Sequence, residues 1–340
     1  MRAALVLGPK LLAVQDVPMP EMGPYDALVK IEACGICNST DKKILDRKFV
    51  SSIPVPLVLG HESVGTIVEV GDRVKRYQVG QRVLRPGAVD TGGGRYASAW
   101  GGFAEYGLVS DLDAWRADGR EGNPPGMPGK QQIIPNDIDA AQATAIITLK
   151  EVLFATRAAG VDQTTWTAVV GTGPVARAFT FWAVKLGAPF VVVFGRRERY
   201  CQDFLALGAN NYVHGGKPCL QDDAKQCGLG AFDRAIDAVG SSQSLEDALA
   251  LLRPDGLVGN YGVAPEDDHE SEALAAAREA GRIINLPVRE EEVHQEVVDY
   301  VSRGEIDLAD WTSHYLPLNE IGRGFELLAK REATKVVITI

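Results

Sequence analysis

The segment Gly171-Thr172-Gly173-Pro174-Val175-Ala176 limits the possible folds of this chain more than any other. It fits G-x-G-x-x-A, and its context gives the match meaning. The strand-like run Thr167-Ala168-Val169-Val170 comes before it, and Val175 to Leu186 reads as a helix closed by Gly187. In such a strand–turn–helix unit Gly171 permits the tight turn, Gly173 lets the backbone approach a pyrophosphate, and Ala176 allows close helix–sheet packing. The helix start adds free N–H groups and a partial positive charge. Gly171, Thr172, Gly173, Pro174 and Val175 are therefore the candidate residues for holding a dinucleotide. Strand and helix then alternate: strands at Pro189 to Phe194, Asn211 to Val213, Ala231 to Ala238 and Gly256 to Gly262, with helices at Tyr200 to Leu207 and Ser244 to Leu252. That order predicts an α/β domain with a doubly wound parallel sheet.

The end of the strand after the glycine turn separates NAD from NADP. An acid about 20 residues on usually holds the ribose hydroxyls. This chain has Gly195 in its place, followed by Arg196 and Arg197. A missing carboxylate removes repulsion, and Gly195 makes room. The two guanidinium groups suit a 2′-phosphate through charge-assisted hydrogen bonds. The expected coenzyme is NADP(H).

Before this domain the pattern differs. Ala3 to Leu7, Asp26 to Ile31, Ser63 to Val70 and Gln81 to Leu84 are short apolar runs bounded by Gly, Pro and Asp, which predicts a small β-rich domain. Residues 85–129 are punctuated by Gly92-Gly93-Gly94, Gly101-Gly102 and Asn123-Pro124-Pro125-Gly126 and read as loop, with Asp113 to Gly129, Tyr96 and Trp100 as candidate pocket lining. Asp139 is placed to cap a helix over Ala140 to Ile147, with a second helix over Leu149 to Ala159. Near the end, helices are expected at Glu291 to Arg303 and Ile321 to Lys330, then a strand at Lys335 to Ile340, while Glu266 to Glu272 reads as a solvated acidic loop.

A chain of 340 residues suggests about two domains. Its net charge of -10 repels phosphate backbones, so nucleic acid is not an expected partner. No run of about 18 uncharged apolar residues exists, so no membrane span is expected. Five cysteines, few and odd in number, and the lack of a signal-peptide pattern predict a reduced, cytoplasmic protein.

The chemistry concentrates in Cys37-Asn38-Ser39-Thr40-Asp41 and Pro56-Leu57-Val58-Leu59-Gly60-His61-Glu62. Together they supply a thiolate, an imidazole and a carboxylate, the ligand types of an open catalytic zinc site. Cys34, in Cys34-Gly35-Ile36-Cys37, has no second pair to complete a four-cysteine site and reads as a buried apolar residue.

Taken with Gly65-Thr66-Ile67-Val68-Glu69-Val70-Gly71, Gly101-Gly102-Phe103-Ala104-Glu105-Tyr106, Asp16-Val17-Pro18-Met19-Pro20 and Ser313-His314-Tyr315-Leu316-Pro317-Leu318, these motifs make the chain similar to the zinc-dependent medium-chain dehydrogenase/reductase family, its alcohol, polyol and sugar dehydrogenases in particular. The resemblance spans nearly the whole chain. It implies a discontinuous GroES-like catalytic domain, residues 1–150 and 297–340, around a Rossmann coenzyme domain, residues 151–296. It also implies one catalytic zinc at Cys37, His61 and either Glu62 or Glu151, the other acid lying close by.

A secondary alcohol and its ketone or aldehyde would be the substrate pair, and a homodimer or homotetramer the assembly. The family keeps a hydroxyl after its ligand cysteine. Here the motif is one residue longer, so Ser39 and Thr40 both qualify as proton relay. Many relatives carry a structural zinc on four cysteines. Residues 84–105 contain no cysteine, so that second zinc is not expected. The rival readings are a zinc-free enone or quinone reductase and a non-enzymatic nucleotide-binding protein, and the presence of the Cys/His/Glu set argues against both.

Overall fold

The computed structural model describes residues 1–89, 91–215, 222, 224, 230–264 and 268–340. It divides into two compact units, Met1–Ile147 with His294–Ile340, and Thr148–Val293. Sequence expectation put these boundaries at 150/151 and 296/297.

The first unit begins with the antiparallel pair β1 (Arg2–Gly8) and β2 (Leu11–Asp16). It continues through β3 (Asp26–Gly35), helix α1 (Thr40–Leu45), β4 (Leu57–Val58), β5 (Glu62–Val70), β6 (Arg82–Leu84), β7 (Ala97–Ser98), β8 (Tyr106–Ser110), α2 (Leu112–Ala117) and β9 (Ile133–Ile134). One sheet runs β2-β1-β4-β7. The other is built on β3, which pairs with β5 along one edge and with β8 along part of the other. Inward residues alternate as the pleat requires: Ala27, Val29 and Ile31 of β3 are buried, and Ala27 and Val29 cluster with Ile67 of β5 and Val83 of β6.

Helix α3 (Ala140–Ala158) leads into the second unit. There β10 (Trp166–Val170), α4 (Pro174–Lys185), β11 (Phe190–Gly195), α5 (Cys201–Ala206), β12 (Asn211–His214), β13 (Phe232–Asp237), α6 (Ser242–Ala250), β14 (Leu252–Asn260), α7 (Glu272–Glu279) and β15 (Ile283–Asn285) follow. The six strands are parallel, in the order β12-β11-β10-β13-β14-β15. This is the Rossmann order, with its switch point between β10 and β13. Ala168, Val169 and Val170 are all buried, as expected for a strand covered on both faces.

The chain then returns to the first unit as α8 (His294–Ser302), β16 (His314–Pro317), α9 (Ile321–Lys330) and β17 (Val336–Thr339). Strand β17 pairs antiparallel with β3, setting Val337 opposite Gly35 and Ile338 opposite Cys34. A segment some 300 residues later in sequence is thereby laid beside the cysteine motif.

The expected helix pair before the parallel sheet is corrected to one helix, α3. Asp139 does cap it, accepting from the Gln142 N–H at 2.9 Å. No Gly or Pro lies between Ala140 and Ala158, so nothing breaks the i→i−4 ladder where the apolar pattern shifts. The loop expected over 85–129 contains β7, β8 and α2, elements of two to six residues that are too short for periodicity to reveal. Strand β2 carries no clear strand pattern, because half of it is half-buried, the rest is exposed, and its side chains do not alternate. Cys219, Cys227, and Glu266 and Asp267 of the acidic stretch lie outside the described residues. Among the described residues no helix is long and apolar enough to cross a membrane.

Candidate active site

In the first unit the ends of β3, α1 and β5 bring three side chains together. One ligand atom each from Cys37, His61 and Glu62 lies within 4.8 Å of the others. A tetrahedral zinc with bonds of about 2.0–2.3 Å holds its ligands about 3.3–3.8 Å apart, so this set closes on a metal with small side-chain movements.

Local rules place each residue. Gly60 sits at φ +107°, and a Cβ there would press on Phe103, so a glycine must precede His61. Arg85 Nη1 donates to the His61 carbonyl at 2.6 Å, and the Trp100 ring centroid lies 5.1 Å from that of His61. Cys37 starts the turn into α1, and its sulfur accepts from the Thr40 N–H at 3.4 Å.

Asp41, fully buried in α1, organises this corner. Its Oδ2 accepts from the Cys37 N–H at 2.9 Å, and its Oδ1 lies 3.0 Å from His61 Nδ1. With Nδ1–H committed to Asp41, Nε2 is the nitrogen left for a metal. Burial pulls the His61 imidazole down, but the charge and hydrogen bond of Asp41 outweigh it and hold the group well above its ordinary value.

Glu62 is buried against Lys335, whose Nζ donates to Glu62 Oε2. Burial alone would lower the Lys335 ammonium, yet the Glu62 charge keeps it above its usual range. Gly35, opposite Glu62 in the β3–β5 register, must be glycine, because a Cβ there would collide with the Glu62 carboxylate and touch Lys335 Cε. Cys34 is fully buried in the core, and burial pushes its thiol well up, in keeping with an inert apolar role.

Of the two candidate hydroxyls, Thr40 opens α1, and Ser39 precedes it with its Oγ accepting from Lys43 Nζ at 3.3 Å. Gly126 and Met127 of the predicted pocket loop line a small cavity beside His61, together with Arg85, Trp100 and Gln131. Tyr96 instead packs against the Ala3–Leu5 cluster.

In the second unit, Gly171 turns at φ +127° at the end of β10, and Pro174 occupies the first turn of α4, where it forfeits no hydrogen bond. Thr172 and Gly173 form the turn, with Gly173 at the helix N-cap and Val175 inside the first turn. No side chain fills the space over Gly173. Gly195 ends β11, with Arg196 exposed and Arg197 half-buried beyond it. The room expected at Gly195 is already occupied: a Cβ there would collide with Tyr212 Oη and Thr172 Cγ2. Glu151 also lies in this unit, on α3, and accepts from Tyr261 Oη at 3.1 Å.

Asp237, at the end of β13 beside the Gly171 turn, was not among the sequence candidates. It is fully buried and accepts from the N–H groups of Val239 and Gly240, each at 3.0 Å. Burial outweighs those donors and raises its carboxyl from 3.8 to about 6. A carboxyl raised by folding contributes its full stability below the unfolded value and loses it as pH rises through the folded one. This group should therefore cost the unit about 3 kcal/mol between about pH 3 and pH 7. We expect the unfolding free energy of the wild type, taken relative to Asp237→Asn, to fall by about that amount across the window. A wild-type-to-variant difference that stays flat from pH 4 to pH 7 would show the carboxylate ionised throughout.

Asp41 and Lys335 are the functional neighbours that sequence reasoning missed. Asp41 stands four residues after Cys37, and this spacing is the signal the sequence carries. Lys335 offered none, since it meets Glu62 from 273 residues away.

Comparison with known proteins agrees with this geometry. Residues 23–118 match the alcohol dehydrogenase GroES-like domain, and residues 174–303 the zinc-binding dehydrogenase domain. The chain is 26% identical to an L-threonine 3-dehydrogenase of Proteus mirabilis (strain HI4320), covering 95% of this chain and 94% of that protein. It is 25% identical to a sorbitol dehydrogenase of Bombyx mori, covering 99% and 98%. A protein of Sinorhizobium meliloti 1021 solved with NADP superimposes with a TM-score of 0.80 at 23% identity, covering 100% of this chain and 99% of that one. With a GroES-like unit, a Rossmann unit and both domain models in their family order, the chain belongs to the zinc-dependent medium-chain dehydrogenase/reductase family.

Proposed function

We propose that the chain is an NADP(H)-dependent dehydrogenase that interconverts a secondary alcohol, of the polyol, sugar or cyclitol kind, with its ketone or aldehyde. The observation that carries this reading is the Cys37–His61–Glu62 cluster, backed by Asp41. Bound there, one zinc would polarise the substrate oxygen and lower the hydroxyl's pKa, while NADP+ would take the hydride.

The remaining work falls to the chain's own residues. Cys37 and His61 Nε2 are the fixed donors. Asp41 holds the imidazole in the productive tautomer, and Lys335 balances the charge of Glu62. Glu62 is the acid the cluster offers and Glu151 the alternative. If Glu62→Gln loses metal while Glu151→Gln keeps it, the third ligand is Glu62. Ser39 and Thr40 supply hydroxyls next to Cys37 for the released proton, with Ser39 Oγ already oriented by Lys43. Gly171 to Val175 would hold the pyrophosphate at the start of α4, and Arg196 and Arg197 would supply the guanidinium groups for a 2′-phosphate. In this reading the protein is a cytoplasmic homodimer or homotetramer.

The test is turnover across a panel of secondary alcohols with each coenzyme. A charge-assisted contact to the 2′-phosphate corresponds to about a tenfold to hundredfold preference in kcat/KM for NADP+. NAD+ used equally well or better at moderate salt would make the two arginines a solvated turn.

A further inference from the structure

We propose that Tyr212 is a positioning residue for coenzyme choice: its hydroxyl occupies the place a carboxylate at position 195 would need and pins the Arg196–Arg197 turn. This deepens the NADP(H) assignment above and rests on it.

The case begins at the C-terminal end of β11. Coenzyme domains that hold a ribose diol through an acid need that acid's side chain to leave this strand end. In this chain no side chain can leave it. A Cβ on Gly195 would collide with Tyr212 Oη from one side and Thr172 Cγ2 from the other. Gly195 is not at positive φ, so packing rather than backbone conformation demands the glycine. The obstructing tyrosine is well fixed. It lies on β12, with its Cα paired to that of Val193 in the parallel register, is buried, and stacks on Phe204 with ring centroids 5.9 Å apart.

The same hydroxyl acts on the next two residues. Tyr212 Oη donates to the Arg197 carbonyl at 2.5 Å. His214, two residues along β12, brings Nε2 to 3.3 Å from the Arg196 carbonyl. The turn after β11 is thus anchored through its backbone, and Arg196 and Arg197 leave it from fixed Cα positions. Thr172 of the pyrophosphate turn touches the same spot, so the turn stands next to the dinucleotide loop. Burial raises the Tyr212 phenol to about 12, so the donor keeps its proton through the physiological range. One hydroxyl therefore disfavours the NAD-type acid and orders the NADP-type arginines.

Tyr212→Phe removes only the hydroxyl and keeps the ring on Phe204. Calorimetric titration with 2′,5′-ADP and with 5′-ADP reads the adenosine end directly, without turnover. The expected result is a Kd for 2′,5′-ADP about threefold to tenfold weaker in the variant, 5′-ADP binding unchanged, and a melting temperature lowered by no more than about 2–4 °C. Gly195→Ala provides a second reading. It should lower the melting temperature of the wild type and do so less in a Tyr212→Val background. If both ligands weaken equally, or if neither changes in a folded variant, Tyr212 is a packing residue and the proposal falls while NADP(H) preference stands. A wild type that binds 2′,5′-ADP no better than 5′-ADP overturns the NADP(H) assignment and this proposal together.

Discussion

Replacing Cys37 with alanine should abolish both metal binding and turnover while leaving both units folded. The wild type should carry about one zinc per chain, set by an open three-ligand site. Cys37 is the only sulfur donor in the cluster, and it sits half-buried at the turn into α1, outside the main cores. Its loss removes a ligand but little packing. Without the metal, several kcal/mol of transition-state stabilisation disappear, on the order of a thousandfold or more in kcat/KM.

Asp41→Asn should give an intermediate result. The ligands remain, but the His61 tautomer loses its charged partner, and metal affinity should fall about tenfold to hundredfold. Elemental analysis, chelator competition and steady-state kinetics on the three proteins would check the series. Near-wild-type turnover by a metal-free Cys37→Ala protein would remove the proposed zinc from the chemistry.

Lys150→Met should destabilise the second unit by about 3–5 kcal/mol. Lys150, on α3, and Glu290 form an ion pair with N and O 3.3 Å apart, and both side chains are fully buried. Charges withdrawn from water need opposite charge close by, so removing the ammonium takes the counter-charge of this pair from the Glu290 carboxylate in a low dielectric. Replacing both, as in Lys150→Met with Glu290→Leu, should restore most of the loss, because the uncompensated charge goes too. Urea unfolding of wild type, single and double variants measures the cycle. A loss below about 1 kcal/mol in the single variant would show that the pair contributes little to the fold.

The second unit was the more legible of the two. Each signal in it spans only a few residues: a strand-like run, a glycine at φ +127°, a proline in the first turn of α4, and glycines closing helices. Such features depend on backbone sterics and a single hydrogen-bonded turn, so they survive whatever the rest of the chain does. The first unit was harder to read. Its strands β4, β7 and β9 have two residues each, and their partners come from distant segments. Helix α3 runs unbroken through the shift in its apolar pattern, where the sequence predicts two helices.

The same division runs through the site. Residue type pointed to the Cys37 and His61-Glu62 motifs, because an open zinc site requires a soft donor, an imidazole and a carboxylate, and the family resemblance implied Cys37, His61 and either Glu62 or Glu151 as the ligands. Glycine turn chemistry did the same for residues 171–175. Tertiary structure decided what each of these residues faces. Lys335 reaches Glu62 only because β17 is laid on β3 in one register. The side chain of Tyr212 fills the space over Gly195 only because β12 lies beside β11. Strand pairing between distant segments is set by cooperative burial of whole faces rather than by any local preference, so these partners became visible only once the sheets were assembled.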